Sequence, residues 1–185
     1  MTVVVIIGIL ATIAVPQIVE RLRDRRANQA AQEIALVYRN ARLRALGQGF
    51  AVLVRYTAAS GFQVFEALSP NGVGGNCTLQ QPPNCTSNPW ATANTDYRVV
   101  GGFSPSAYPG VSEVVTITAD TLNGRAGGIQ STLDVCFSPR GRTFARTTAA
   151  FVPSTTMIDV AVTRAATGKT RNVSILPNGM ARLSL

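Results

Sequence analysis

Residues 3–26 read VVVIIGILATIAVPQIVERLRDRR, an uncharged apolar run followed by four arginines within six positions. No charged residue occurs in residues 1–19, and a helix of that length approaches the roughly 30 Å thickness of a bilayer core. Nothing basic precedes the run and no small-x-small site follows it, so the pattern does not predict a cleavable secretory peptide. The first part of this helix is expected to contact lipid or other helices.

The helical pattern continues beyond the arginines. Small and apolar residues recur there at spacings of three and four, which is typical of one face of an amphipathic helix. This stripe consists of Ala27, Ala30, Ala31, Ile34, Val37, Ala41 and Ala45. No Gly or Pro interrupts residues 17–46, and Gly47 and Gly49 then supply a stop signal. We predict one helix of roughly 45 residues, whose second half packs on a sheet.

Pro16 lies inside the predicted helix. It removes one backbone donor and clashes with the preceding turn, at a cost on the order of 3 kcal/mol. Membrane helices tolerate such a proline when neighbouring groups satisfy the freed carbonyl. Two interpretations stay open: a kink in an ordinary anchor, or a segment that loosens when lipid is exchanged for protein, with Gly8 as a second weak point.

After Gly49 the pattern changes to short runs rich in β-branched and aromatic residues. FAVLVRYT (50–57) and FQVFEAL (62–68) flank AASG, which is a hairpin signal. Further predicted strands are EVVTITA (113–119), TLDVCFS (132–138), MIDVAVTR (157–164) and RNVSIL (171–176). PNG at 177–179 then turns the chain into a last short strand.

These patterns predict an α+β fold. A long N-terminal helix, membrane-spanning in its first half and amphipathic in its second, packs on an antiparallel, sandwich-like sheet. We divide the chain into residues 1–26, the apolar helix with its basic flank, and residues 27–185, the globular head. The head comprises the amphipathic helix 27–46 and a β-rich region 50–185. Within it, residues 69–112 are rich in Pro, Gly, Asn and Ser and predict a long surface loop.

Composition narrows the function classes. The chain of 185 residues is 46% apolar and 14% charged, and its net charge of +8 comes from sixteen arginines and Lys169 against nine acids. The absence of His removes the commonest general base and metal ligand. There is no GxSxG and no close carboxylate pair, and TRAATGKT (163–170) lacks the first Gly of a phosphate-binding loop. We expect no enzyme activity and no catalytic, cofactor-binding or metal site.

Three cysteines favour an oxidising compartment. Cys77 and Cys85 lie eight positions apart in the predicted loop, and Cys136 stands alone in an apolar strand. We predict a Cys77–Cys85 disulfide that closes a small loop, with Cys136 as a buried free thiol. A zinc site is the weaker alternative, since there is no His and no CxxC.

The N-terminal residues resemble the start of a type IV pilin or pseudopilin. Gly8, Ala11, Ala14 and Pro16 occur in that family's order. AAQEIALVYRNARLRALGQGFAVLV (30–54) is similar to the GspH/FimT subgroup, whose helix ends in an ARxxA phrase followed at once by a strand. RNVSILPNGMARL (171–183) resembles the final hairpin of that subgroup.

The resemblance implies a structural minor pilin or pseudopilin, single-pass in the inner membrane with a periplasmic head, which primes or caps a type IV pilus or a type II secretion pseudopilus. Its partners would be other minor pilins, the major pilin and the assembly platform. The positive-inside rule alone would put the arginine flank in the cytoplasm. Mature family members begin with a Phe and an early Glu upstream of Met1, so leader cleavage and N-methylation map to no residue here. The implied membrane and filament-core residues are Val3, Val4, Val5, Ile6, Ile7, Gly8, Ile9, Leu10, Ile13, Val15 and Pro16.

Two further functions are weighed. Some FimT-like pilins take up DNA through a C-terminal GRxR phrase, of which Gly179-Met180-Ala181-Arg182 keeps only the second arginine. A second basic group in SPRGRTFAR, with Arg140, Arg142 and Arg146, could also meet phosphates. The candidate DNA contacts are therefore Arg140, Arg142 and Arg182. An unrelated single-span periplasmic binding module is the other alternative.

Overall fold

One helix, α1 (Thr2–Gln48), forms the N-terminal quarter of the chain in the computed structural model. Its 47 residues confirm the predicted single long helix. It ends at Gln48, and the next residue, Gly49, adopts a positive φ of 74° and donates its backbone N–H to the Ala45 carbonyl at 3.2 Å. This is the left-handed cap that glycine provides at low cost.

The structure describes residues 2–68, 84–88, 90–91, 93–94, 96–105, 115–120, 132–146, 150–164 and 167–184. Within these ranges, residues 2–17 and 115–120 are described by their backbone alone. Within these described residues, ten strands follow the helix. They are β1 (Val52–Thr57), β2 (Gly61–Ala67), β3 (Tyr97–Phe103), β4 (Val115–Asp120), β5 (Thr132–Phe137), β6 (Thr143–Arg146), β7 (Val152–Pro153), β8 (Ile158–Arg164), β9 (Thr170–Ile175) and β10 (Ala181–Ser184).

The strands form two sheets in which the paired neighbours are antiparallel. The first has the order β3-β2-β1-β5-β6-β7 and the second the order β10-β9-β8-β4. Helix α1 contacts strands of both sheets, so the α+β class and the helix-on-sheet arrangement are confirmed. The predicted strands and the final hairpin are present, with bounds shifted by a residue or two.

The second half of α1 supplies the centre of the main core. Its buried residues are Ala27, Ala30, Ala31, Ile34, Ala35, Tyr38, Ala41 and Ala45. This confirms the predicted stripe, with Val37 only partly buried at its margin. Six of these eight residues are alanines, so both sheets can approach the helix closely.

Strand β3 corrects the prediction of one long loop over residues 69–112. Tyr97–Phe103 pairs with β2 at the edge of the first sheet, with a register shift between Val64 and Phe65. Its burial does not alternate, and Val99 is 58% exposed. An exposed edge strand with two adjacent glycines lacks the period-two pattern of a half-buried strand. Residues 69–83 and 106–112 of the predicted loop lie outside the described residues.

The disulfide corrects the cysteine prediction. Cys85 is bonded to Cys136, 51 positions further along the chain. Both lie in a second apolar cluster with Leu53, Phe65 and Trp90, on the face of the first sheet opposite the main core. The spacing of eight positions favoured a short loop closed by Cys77 and Cys85. In the fold, the segment around Cys85 instead packs against β5, which carries Cys136. Cys136 is therefore not a free thiol, and Cys77 lies outside the described residues.

Among the described residues, no helix has the length and apolar character needed to cross a bilayer. The structure thus supports the long helix and its packing on antiparallel sheets, without adding support for a membrane-spanning first half.

Candidate functional site

The N-terminal part of α1 continues beyond the head. Among the helix residues whose side chains are described, from Ile18 onward, the first buried one is Ala27, while residues 18–26 are exposed except for Asp24, which is intermediate. Three apolar side chains in this segment face solvent: Ile18 at 56%, Val19 at 39% and Leu22 at 48% exposure. About 25 residues of helix therefore precede the first residue of the core, a length on the order of 37 Å.

Two polar contacts hold the helix where it leaves the head. Arg164, at the end of β8, is 2% exposed, and its Nη1 donates to Asp24 Oδ1 at 2.5 Å. One helical turn later, Arg171 Nε donates to Asn28 Oδ1 at 2.9 Å. These contacts join the base of the projecting segment to the second sheet.

The predicted membrane and filament-core residues all lie in this projecting segment. Backbone helix continues through Gly8 and Pro16 without interruption. The contacts of the side chains of residues 3–16 lie outside what the structure describes, so the two interpretations of Pro16 stay open.

The ARxxA phrase has a structural role. Ala41 and Ala45 belong to the buried face of α1. Arg42 Nε donates to the Asn178 carbonyl of the β9–β10 turn at 3.0 Å, and Arg44 Nε donates to Glu66 on β2 at 2.8 Å. The phrase therefore ties the end of the helix to both sheets.

Two buried carboxylates organise further arginines. Glu66 is 3% exposed and also accepts from Arg98 Nη2 at 3.1 Å. Asp134 is 5% exposed and accepts from Arg55 Nε at 2.9 Å and Nη2 at 3.0 Å. The hydrogen bond from Arg55 to Asp134 raises the pKa of that guanidinium above its ordinary value.

Arg146, which the sequence grouped with Arg140 and Arg142, is engaged within the first sheet instead. Its Nε donates to Asp134 Oδ2 at 2.9 Å, and its guanidinium lies 4.2 Å from the centre of the Phe151 ring. Sequence reasoning missed this network because the acids are scattered along the chain. The signal lies in strand register, since Asp134 pairs across the sheet with Arg55 on one side and Arg146 on the other.

Arg140 and Arg142 lie together on the β5–β6 turn. The turn is closed by Ser138 N–H donating to the Arg142 carbonyl and Gly141 N–H donating to the Ser138 carbonyl, both at 2.9 Å. Gly141 has a positive φ of 78°, a conformation that glycine adopts readily. Both arginine side chains are exposed and line a pocket of about 260 Å³.

Arg182 is exposed on β10, outside that pocket. The preceding β9–β10 turn nevertheless lies beside the start of β6, because a Cβ added at Gly179 would stand 3.1 Å from Thr143 Oγ1. Arg182 follows Gly179 by three residues, about 10 Å along an extended strand. The structure therefore brings Arg140 and Arg142 together in one pocket, whose described lining does not include Arg182.

These three arginines share one property. Within the described part of the head, every other arginine donates to a carboxylate, an amide oxygen or a backbone carbonyl. Arg140, Arg142 and Arg182 have no such acceptor among the described residues, so their guanidinium groups remain available to a ligand.

Comparisons with protein-family models, curated proteins and solved structures gave no match to the chain.

Proposed function

We propose that the chain is a structural subunit of a pilin-like filament, and that its projecting helix is the assembly element. The observation that carries this proposal is that α1 begins 25 residues before Ala27, the first buried residue among its described side chains. Residues 1–19 of this segment contain no charge. A helix with this sequence requires an apolar environment, and the described part of the head leaves Ile18, Val19 and Leu22 without one.

The free energy of burying this segment supports a role in assembly over an extension without a function. Residues 3–15 contain nine Val, Ile and Leu side chains. Burying each of them is worth roughly 1.5–3 kcal/mol, so the segment gains on the order of 20 kcal/mol when lipid or neighbouring helices cover it. A subunit that exchanges one apolar environment for the other keeps most of this energy throughout assembly.

The disulfide supports a head outside the cytoplasm. Cys85–Cys136 is the kind of bond that persists in oxidising compartments. This favours the implied inner-membrane subunit with a periplasmic head over the orientation that the arginine flank alone would predict. The exposed Arg21, Arg23, Arg25 and Arg26 would then contact anionic headgroups or neighbouring subunits.

The finer assignment rests on the resemblance to GspH/FimT pilins. In it the chain is a minor pilin or pseudopilin that primes or caps a type IV pilus or a type II secretion pseudopilus. Other minor pilins, the major pilin and the assembly platform are its proposed partners. DNA uptake through Arg140, Arg142 and Arg182 stays a prediction, as does the unrelated periplasmic binding module.

The proposal is tested by locating the intact chain in cells that assemble such filaments. Membranes and sheared filaments are separated, and the chain is quantified in each. Ile9→Lys puts a charge in the apolar segment at a cost of roughly 3 kcal/mol, so we expect loss from both fractions. Leu43→Lys is the matched control, because Leu43 is 62% exposed on the head and its replacement should leave the distribution unchanged. Wild-type distribution of Ile9→Lys would contradict the proposal.

A further inference from the structure

We propose that the pocket beside the disulfide binds an organic oxyanion, a phosphate or carboxylate group carried on a single ring. The pocket lies between the segment around Cys85 and the β5–β6 turn, which holds Arg140 and Arg142. This inference is independent of the proposed filament role, because the described residues that line the pocket all lie in the head and outside α1.

Charge is the first argument. Arg140 and Arg142 are two positions apart on one tight turn, and neither has an acceptor among the described residues. None of the described residues that line the pocket is acidic. Guanidinium groups bind phosphate and carboxylate through paired N–H donors, and an anion between these two would also relieve their mutual repulsion.

The hydrogen bonds of the Asn84 side chain are the second argument. Asn84 Oδ1 accepts from Thr86 N–H at 3.0 Å, Thr86 Oγ1 at 2.8 Å and Ser87 N–H at 2.8 Å. The oxygen is therefore fully used by its own turn. The Asn84 amide nitrogen has no acceptor among the described residues and keeps two hydrogens to donate.

Ser138 extends the same pattern. Its Oγ accepts from Arg142 N–H at 3.1 Å, and its hydroxyl hydrogen has no acceptor among the described residues. Ser138 is 7% exposed, so an unused donor there is costly unless a ligand accepts from it. Among the described side chains of the lining, the Asn84 and Ser138 oxygens already accept hydrogen bonds from the protein, and the Thr86 hydroxyl oxygen, whose hydrogen goes to Asn84, is the acceptor left for a ligand. Donors thus dominate the pocket, which is the complement of an oxyanion.

The remaining walls define the rest of the ligand. Pro139 and Phe144 line the pocket beside these donors and present flat apolar surface on which a ring can stack. The volume of about 260 Å³ is at the small end for ligand sites. One ring with one anionic group fits this space.

Both sides of the pocket are held in place. Cys85 lies between Asn84 and Thr86, and its disulfide holds that segment to Cys136 on β5, two positions before Ser138. The Trp90 indole donates to the Cys85 carbonyl at 3.2 Å from inside the second cluster. A preorganised site loses little freedom on binding.

The test is calorimetric titration of the intact chain in detergent micelles. Phenyl phosphate and benzoate are the probes, and benzyl alcohol is the neutral analogue. We expect saturable binding of at least one anion, about tenfold or more weaker binding of the alcohol, and a loss of about tenfold or more in Arg140→Ala and Arg142→Ala. Both side chains are exposed, so thermal unfolding of these variants should match the wild type. The probe that binds more tightly shows whether the anionic group of the ligand is a phosphate or a carboxylate.

Arg182→Ala is the matched control, since it removes an arginine that is also exposed and also without an acceptor among the described residues, but lies outside the described lining of the pocket. We expect its affinity to stay within about twofold of the wild type. Equal losses in all three variants would show diffuse charge attraction and overturn the proposal. So would binding of benzyl alcohol as tightly as the anions, or binding of duplex DNA that phenyl phosphate does not displace.

Discussion

Asp134 shows how single residues use the arginine excess of this chain. Its buried carboxylate accepts three hydrogen bonds from Arg55 and Arg146, on the two neighbouring strands. The same side chains would repel one another without it. Arginine pairing across strands is therefore a stability feature of the first sheet, and it separates these arginines from the unpaired Arg140 and Arg142.

Replacing Asp134 with Asn keeps the shape of the side chain and removes its charge. We expect a loss of about 2–3 kcal/mol in the free energy of unfolding, because two partly buried guanidinium groups lose their counter-charge. Urea denaturation at neutral pH measures it. Glu33→Gln is the control, since Glu33 is exposed, and it should change stability by less than about 0.5 kcal/mol. Equal stability of the two variants would refute the role assigned to Asp134.

Tyr38 provides a second test at this scale. Its ring packs edge-to-face with Phe62 and Phe137, at centroid distances of 6.0 and 6.5 Å. Its hydroxyl is buried without a partner among the described residues. Tyr38→Phe keeps the ring and removes this unsatisfied group, so we expect it to raise the free energy of unfolding by about 1 kcal/mol at pH 7. A destabilised variant would mean that the hydroxyl has a partner.

The same variant should change the alkaline limb of stability. Burial, with a smaller contribution from the Asp134 charge, raises the pKa of Tyr38 well above its ordinary value of 10.0. The unfolded chain therefore loses this proton first, and the stability that the neutral form provides falls as pH rises above about 10. Tyr38→Phe should flatten this fall in urea midpoints measured between pH 8 and about 11. Some slope should remain, because burial also raises the pKa of Tyr56.

At the scale of elements, the local sequence pattern predicted the buried helix face and most of the strands. The stripe from Ala27 to Ala45 predicted the buried face of α1, and short runs rich in β-branched and aromatic residues predicted β1, β5 and β8. The edge strands β3 and β7 show no alternating burial, and β6 has only four residues, so the sequence does not predict these three strands. The pocket beside the disulfide was only partly predictable from the sequence. Arg140 and Arg142 stood out as a basic group, whereas Asn84 lies on the same pocket because the Cys85–Cys136 disulfide joins its segment to β5, and the sequence did not predict that disulfide.

The disulfide makes a prediction at this scale. Cys85–Cys136 closes a loop of 51 positions, and chain entropy assigns such a loop about 4 kcal/mol of stability. We expect a loss of this order in urea denaturation of the Cys85→Ala/Cys136→Ala double variant. Peptide mapping without reduction should recover a Cys85–Cys136 fragment from the wild type and from the control Cys77→Ala. A Cys77–Cys85 fragment would contradict the structure.

At the scale of the whole molecule, one helix belongs to two units. From Ala27 to Ala45 it forms a core shared with both sheets, so the head depends on this half. Residues 18–26, the part of the first half whose side chains the structure describes, contribute to neither cluster. Sequence could predict this division from the change in hydrophobic pattern, but the contact of both sheets with one alanine-rich face required the structure.

Amide hydrogen exchange tests this division most directly. The intact chain is reconstituted in phospholipid vesicles, and exchange is followed at a urea concentration that unfolds the head. Backbone hydrogen bonds inside a bilayer are shielded from water, so we predict that the amides of residues 2–19 stay protected while those of residues 27–46 exchange together with the sheets. Loss of protection in residues 2–19 along with the head would contradict the account of a helix built for two environments.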